Sequence, residues 1–304
     1  METRKRTEII RDISSYFLSL KKGETIESVR NLSKKMGASI GLLSEVITEI
    51  EDAGAVSLEK RGPLGTQIKG MSIGKLWEIA RKEPLVIAHT LPSNHRYEGF
   101  ASGLKTAMTD AGLETYFIFI RGSRTRINAL REGRCHIAIT SLFAANGLCT
   151  RKEDIAFSFS PCTFTSAHHI YMRSGATQDQ ARLVVGVDPD SYDQNHLSQI
   201  EFEYKNVEYK RINFMNIFRC LSSGEIDAAI WTEDDMHPHL NENIVQLPLS
   251  AHTQQKVNQS DTQVALIIYK EDKLIGEVIK KTIKPDQVLQ IQTDVIEGKR
   301  IPTY

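Results

Sequence analysis

A ten-residue pattern written twice narrows the fold most. Leu130-Arg131-Glu132-Gly133-Arg134-Cys135-His136-Ile137-Ala138-Ile139 and Leu221-Ser222-Ser223-Gly224-Glu225-Ile226-Asp227-Ala228-Ala229-Ile230 share one spacing, 91 positions apart. In each copy a Leu closes the apolar face of a helix, a Gly supplies a left-handed cap, and an apolar run follows as a buried strand. The first strand runs into Thr140-Ser141 and the second into Trp231-Thr232. Two α/β lobes of one design imply a cleft between them, and such clefts take small molecules.

A chain of 304 residues suggests about two domains. Lys+Arg and Asp+Glu balance at 38 each, yet residues 1–82 hold 15 bases against 11 acids, leaving 23 against 27 in the remainder. A basic front on an acidic body points to a polyanion-binding module. Cys135, Cys149, Cys162 and Cys220 form no C-x-x-C pair and no disulfide framework, which fits free thiols in a reducing compartment. No run approaches the length of a membrane span. The start, Met1-Glu2-Thr3-Arg4-Lys5-Arg6, leads into an amphipathic stretch containing Asp12, unlike the apolar region of a signal peptide. A cytoplasmic protein with no membrane partner is expected.

The basic front reads as three helices and a hairpin. Glu8 to Leu20 places Ile9, Ile10, Ile13, Tyr16, Phe17 and Leu20 on one face, and Lys21-Lys22-Gly23 ends that helix. Ile26 to Met36 offers a second helix, with Val29, Leu32 and Met36 apolar. Gly37 forces a turn, and Ser39 caps a third helix whose buried stripe is Leu42, Leu43, Val46, Ile47 and Ile50. These are helix-turn-helix dimensions. Ala55 to Leu58 and Thr66 to Ile68 then form a hairpin with Lys60 and Arg61 at its tip. Those bases stand where a wing reaches phosphates.

The run from Gly23 to Ser39 resembles the helix-turn-helix of GntR-type transcriptional regulators without a gap, with Gly23, Ile26, Ser28, Arg30, Leu32, Gly37 and Ser39 at the family's positions. Glu49-x-Glu51-x-x-Gly54 before Ala55-Val56 is similar to its exit into the wing. The resemblance implies that Ser28 and Arg30 meet duplex DNA and that Ser39 caps the recognition helix. One departure weakens guanine reading from that helix: the family's basic residues after the turn are replaced by Ile40 and Ser44. Gly41 and Ser44 remain able to meet DNA, with affinity leaning on Arg30 and the wing. Three such helices can also serve as a protein-interaction module.

Met71 to Lys82 reads as a connecting helix with Trp77 as a structural anchor, closed by Glu83-Pro84. It could also join two chains. Beyond it, Leu85 to Ala88, Glu114 to Ile120 and Ile137 to Thr140 alternate with helices, a pattern that requires parallel crossovers. Ile155 to Met172 runs extended into a second lobe. Leu183 to Val187, Val207 to Ile212 and Ile226 to Trp231 repeat the strand pattern there. Gln263 to Tyr269 can return to the first lobe as a second crossing strand, leaving Lys273 to Ile283 as a closing helix. Residues 85–304 are thereby similar to the type II periplasmic-binding-protein fold, which many bacterial regulators use as an effector domain. The complete arrangement resembles the YhfZ family. The expected fold class is α/β: a winged helix-turn-helix over 1–70, a linker helix over 71–84, and a two-lobed effector domain with two crossover strands over 85–304. The second lobe covers roughly 170–260.

Ligands of such a fold meet strand carboxyl ends and helix N-termini. The first lobe offers Ser93 and Asn94, then Arg121, Ser123 and Arg124, then Thr140 and Ser141. Hydroxyls and cations beside helix starts suit a carboxylate or phosphate, and Arg121 and Arg124 are the leading candidates. The second lobe offers Asp188, Asp190, Trp231, Thr232 and Glu233. Those acids suit a zwitterion or polyol, with Trp231 stacking on its carbon face.

Other chemistries find less support. His237-Pro238-His239, below Asp234 and Asp235, is the one local histidine cluster. Its proline denies helical ligand spacing, so no metal is expected. Walker, dinucleotide and nucleophile-elbow motifs are missing, and no cofactor is expected. An enzyme on the same two-lobed body remains the alternative, with Cys162 as nucleophile and His168 as base. The expected function is a homodimeric, ligand-responsive transcriptional regulator that binds duplex DNA and a small anionic or zwitterionic effector.

Overall fold

The computed structural model describes residues 2–235 and 243–304. One compact unit takes the chain up to Val86 together with Gly103–Tyr116 and Lys270–Val288. The other joins Ile87–Ser102, Phe117–Tyr269 and Leu289–Tyr304.

The first unit opens with α1 (Glu2–Ser19), which buries Ile9, Ile10, Ile13, Phe17 and Leu18. The short strand β1 (Thr25–Ile26) precedes α2 (Val29–Met36) and α3 (Ile40–Asp52). The apolar spacing predicts that α2 begins at Ile26. Instead Ile26 pairs with Thr66, and the Ser28 hydroxyl caps the helix by accepting from Asn31 N at 3.3 Å. A capping Ser fixes a helix start more sharply than apolar periodicity does. Ser39 caps α3 in the same way, accepting from Leu42 N at 3.2 Å. Leu43, Val46, Ile47 and Ile50 are buried beneath that helix.

Strands β2 (Val56–Lys60) and β3 (Thr66–Met71) form the wing, with Lys60 opposite Thr66 and β1 on the other side of β3. The helix α4 (Ile73–Arg81) follows, capped by Ser72 and burying Leu76 and Trp77. The indole Nε1 of Trp77 donates to Glu83 O at 2.7 Å. Helix α4 and, from the far end of the sequence, the helix Lys273–Thr282 both pack on α1.

The remaining elements alternate as the apolar runs predict. They are β4 (Leu85–His89), α5 (His95–Asp110), β5 (Thr115–Phe119), α6 (Ser123–Arg131), β6 (Ile137–Ser141), α7 (Leu142–Leu148) and β7 (Glu153–Ser158). Then come β8 (His168–Arg173), β9 (Leu183–Val187), α8 (Tyr192–Glu201), β10 (Val207–Arg211), α9 (Ile217–Ser222), β11 (Ala228–Thr232), β12 (Ile244–Pro248) and α10 (Ala251–Val257). The chain closes with β13 (Val264–Tyr269), α11 (Lys273–Thr282) and α12 (Pro285–Ile296).

Two five-stranded sheets result, ordered β5-β4-β6-β13-β7 and β10-β9-β11-β8-β12. The orders correspond place by place. In each sheet a parallel core, β4 with β6 or β9 with β11, meets an antiparallel strand delivered by a crossover, β13 or β8. The edge strands β7 and β12 then pair antiparallel with those crossover strands. This is the two-lobed binding-protein arrangement.

The repeated sequence pattern lies once in each lobe, as α6–β6 and α9–β11. Gly133 and Gly224 both take a left-handed φ, +70° and +73°. Gly133 N donates to Leu130 O at 3.0 Å and Gly224 N to Leu221 O at 3.1 Å. Arg134 N and Glu225 N reach Ala129 O and Cys220 O, each at 2.9 Å. Both faces of the second sheet are covered. Ile170, Val185, Leu197, Phe202 and Ile230 form one core, and Tyr171, Ile217, Leu221, Ile226 and Ala229 form the other.

Candidate functional site

The second unit contains a small cavity of about 70 Å³ where strand ends and helix starts from both sheets converge. From the first lobe come the residues after β4 and the start of α6, whose N-cap is Gly122. From the second come Asp188 after β9 and the start of α8, which is capped by the Ser191 hydroxyl. The two helix starts touch: Ser123 Oγ accepts from Tyr192 N at 3.2 Å. The free N–H groups and dipoles of helix N-termini favour an anion. Trp231 and Phe214 stack with centroids 4.9 Å apart and form an aromatic wall.

The charged residues divide into those already paired and those left open. Arg121 donates to both Asp188 and Asp190. Asp188 also accepts from Phe214 N at 3.1 Å and Asp190 N at 3.0 Å. Arg121 and Asp188, both expected to take a ligand, therefore occupy each other. Ser141 caps α7 and donates to Asp193 Oδ1 at 2.7 Å, a second link between the lobes.

Arg126 and Gln194 are different. Arg126 is 3% exposed and lines the cavity. Its Nε donates to Ile139 O at 2.6 Å and its Nη1 to Ile120 O at 2.9 Å. No carboxylate lies within ion-pair distance of it among the described residues, and burial pulls its pKa down to about 10. Gln194 is 1% exposed; its Oε1 accepts from Asp188 N at 2.8 Å, and its buried Nε2 has no partner among the described residues. Beside them stands Asp193, whose pKa burial pushes up to about 6, although the charge of His168 and the Ser141 hydrogen bond oppose it. Burial works against the charged imidazole of His168. The hydrogen bond that its Nδ1 donates to Asp261 Oδ2 at 2.8 Å and the charge of Asp261 outweigh burial, and the pKa is raised.

Ser93, Arg121, Ser123, Asp188, Trp231 and Thr232 line the cavity. The other expected residues do not. Asn94 accepts from Tyr97 N at 2.9 Å at the start of α5. Arg124 is exposed, because one further step around α6 turns it away. Thr140 is buried and donates to Ser141 O at 2.9 Å. Glu233 stands 3.8 Å from His169 Nδ1. Sequence reasoning missed Arg126 and Gln194. The signal is helical phase: Arg126 precedes Leu130 by four residues and Gln194 precedes Leu197 by three, which puts both polar groups on buried faces.

In the first unit, Ser28, Arg30, Ser39, Gly41, Ser44, Lys60 and Arg61 are all exposed. The helix α3 carries Glu45, Glu49, Glu51 and Asp52 and no base. Arg6 from α1 pairs with Glu45 at 3.1 Å and Glu49 at 2.8 Å. At the wing, Glu59 pairs with Arg61 at 2.7 Å and Lys69 at 3.1 Å.

The enzyme alternative needs Cys162 and His168 together. Cys162 is exposed, with its thiol 3.5 Å from Ser166 O, and no hydrogen bond joins it to His168. His237 and His239 lie outside the described residues. No group of three or more metal-ligating side chains occurs among the described residues, and no described helix is long and apolar enough to cross a membrane.

Residues 73–304 match the family described as the YhfZ C-terminal domain, and residues 21–68 match one described as a helix-turn-helix domain. The chain is 25% identical to the uncharacterized protein YhfZ of Escherichia coli (strain K12), over 99% of this chain and 98% of that one. It is similar to the crystal structure of YhfZ from Shigella flexneri at a TM-score of 0.61 and 25% identity, over 73% of this chain and 93% of that one. A weaker likeness, with a TM-score of 0.48 and 14% identity, extends to the periplasmic VFT2 domain of BvgS from Bordetella pertussis over 72% of this chain and 96% of that one.

Proposed function

The chain belongs to the YhfZ C-terminal domain family, and from that membership and the helix-turn-helix before it we propose a ligand-responsive transcriptional regulator that binds duplex DNA in the cytoplasm. The observation that carries the reading is the joining, in one chain, of a winged helix with an exposed α2 start and basic wing to a two-lobed body with a polar cavity. The ligand is a small anionic or zwitterionic metabolite. Helix starts and a buried guanidinium favour negative charge there, and Asp193 offers a partner for a cation. Binding as a homodimer follows from the way such modules read paired half-sites.

DNA affinity rests on phosphate contacts from Arg30, Lys60 and Arg61, because α3 carries no base with which to read guanine. Gly41 and Ser44 at the start of α3 leave room for close approach to base edges. The test is selection of genomic fragments by the full-length protein, followed by footprinting with and without metabolite mixtures. Enriched fragments should dissociate as salt rises from about 50 to 200 mM, and a triple Arg30→Ala, Lys60→Ala, Arg61→Ala variant should enrich none. If the unaltered protein selects no fragment at low salt, the regulatory reading is wrong.

A further inference from the structure

We propose that Arg126 and Gln194 together form an oxyanion seat, and that the ligand of the cavity is a compact oxyanion: a carboxylate of two or three carbons, or inorganic phosphate. This rests on reading the second unit as a ligand sensor, and it names the chemistry that unit recognises.

The argument begins with what burial leaves unspent. A guanidinium at 3% exposure with two of its nitrogens on backbone carbonyls, on which Asp193 acts through its charge but with which no carboxylate forms an ion pair among the described residues, is a costly arrangement, because a buried charge needs a counter-charge in direct contact. A buried amide N–H₂ with no acceptor carries a similar penalty. The two belong to different lobes, Arg126 to α6 and Gln194 to α8, and line one cavity. Both are donors. The amide orientation of Gln194 is fixed, since its oxygen already accepts from Asp188 N. A single oxyanion between them would satisfy both and sit at the two helix starts.

Size limits the rest of the molecule. A cavity near 70 Å³ is about half of the roughly 150 Å³ that admits benzene, which leaves room for only a few non-hydrogen atoms. Asp193 lies in the same wall, and its raised pKa lets it lose its charge as an anion arrives. Arg121 is not the seat: Asp188 and Asp190 hold it.

Isothermal titration of the full chain with sodium glycolate, sodium phosphate, glycine and neutral glycolamide tests the proposal. At least one of the three oxyanions should bind and glycolamide should not. Preference for glycolate or glycine identifies a carboxylate, and preference for phosphate the inorganic ion. Arg126 also supports two carbonyls, so the decisive variant is Gln194→Glu, which keeps the acceptor for Asp188 N and turns the donor into a repelling oxygen. It should still melt in one cooperative transition, at a lower temperature because the new carboxylate is buried, and bind about tenfold more weakly or worse. Arg121→Met should retain binding.

The proposal is overturned if no oxyanion binds, if glycolamide binds equally well, or if Gln194→Glu binds as the unaltered chain does. DNA binding that responds to metabolites while these anions fail would remove the seat and leave the regulator. Anion binding in a chain that selects no DNA would do the reverse.

Discussion

Arg121 follows β5 and Asp188 follows β9, and they hold one another across the cavity although 67 residues separate them in sequence. Asp188 is 2% exposed in its side chain, whereas Arg121 keeps about a third of its surface in water. The carboxylate is thus the buried partner, dependent on the arginine and on the N–H groups of Phe214 and Asp190. The pair is a clasp between lobes. Whatever enters the cavity must do so with the clasp open or slip past it.

A double-mutant cycle of Arg121→Ala and Asp188→Asn should give a coupling energy of about 0.5–3 kcal/mol in urea unfolding. Arg121→Ala alone should be the more damaging substitution, since it leaves a buried carboxylate without its cation. Additivity of the two changes would show that the clasp holds nothing.

Beside the clasp, Gly122 has φ +82° and ψ 132°, a region that only Gly occupies readily. A Cβ there would lie 2.6 Å from Asp190 O. Gly122→Ala should therefore destabilise the chain by about 1–3 kcal/mol and raise the radius of gyration in solution scattering. An unchanged scattering curve and melting temperature would contradict the close approach of the lobes at this point.

Asp193 makes the body less stable at neutral pH than it could be. Its pKa of about 6 in the folded chain exceeds the ordinary 3.8. Its contribution is therefore fully favourable below pH 3.8, declines as pH rises, and is lost above about 6. Asp193→Asn keeps an acceptor for the Ser141 hydroxyl and removes the charge. It should raise stability by up to about 3 kcal/mol at pH 7.5 and by almost nothing near pH 4. Equal effects at both pH values would refute this account.

Glu153 behaves oppositely. Arg131 grips its carboxylate through Nε and Nη2 at 3.0 and 3.1 Å, and Thr150 donates both its N–H and its hydroxyl at 2.8 Å. The hydrogen bonds from Arg131 chiefly hold the pKa at about 2, against the opposing effect of burial. This stability is complete above pH 4.5 and disappears as pH falls toward 2, a loss of about 3 kcal/mol. Urea titrations across that range should show the loss in the unaltered chain and a flatter profile in Glu153→Gln.

At the wing, Glu59 occupies Arg61 and Lys69. Glu59→Gln should free Lys69 to join Arg61 at the phosphates and steepen the dependence of log K on log salt by about one unit. Arg61→Ala should make it shallower by about one. Selected genomic fragments provide the ligand, and gel shifts at several salt concentrations provide the measurement.

The lobes were legible because their punctuation is local. Leu130 with Gly133 and Leu221 with Gly224 announce helix end, cap and strand within ten residues, and each lies in its own sheet with matching hydrogen bonds. The winged helix was legible for a similar reason, through Ser39 and the spacing of the wing; only the start of α2 shifted, to the Ser28 cap. The cavity was harder. Arg121, Arg124 and Arg126 crowd six positions, and composition cannot tell which is gripped by acids, which faces water and which is buried. Helical phase distinguishes Arg126, but the claim of Asp188 and Asp190 on Arg121 depends on residues nearly seventy positions away. Long-range pairing of that kind leaves no local trace.

The position of β13 bears on how this protein is made. It lies between β6 and β7, inside the first sheet, yet it leaves the ribosome only after every strand of the second sheet. Until then the earlier strands β6 and β7 present open edges to their surroundings, a hazard for any nascent β-structure. The first lobe therefore matures last, and a chain that stops short of Val264 should accumulate in aggregates rather than persist as a half-protein with one good lobe.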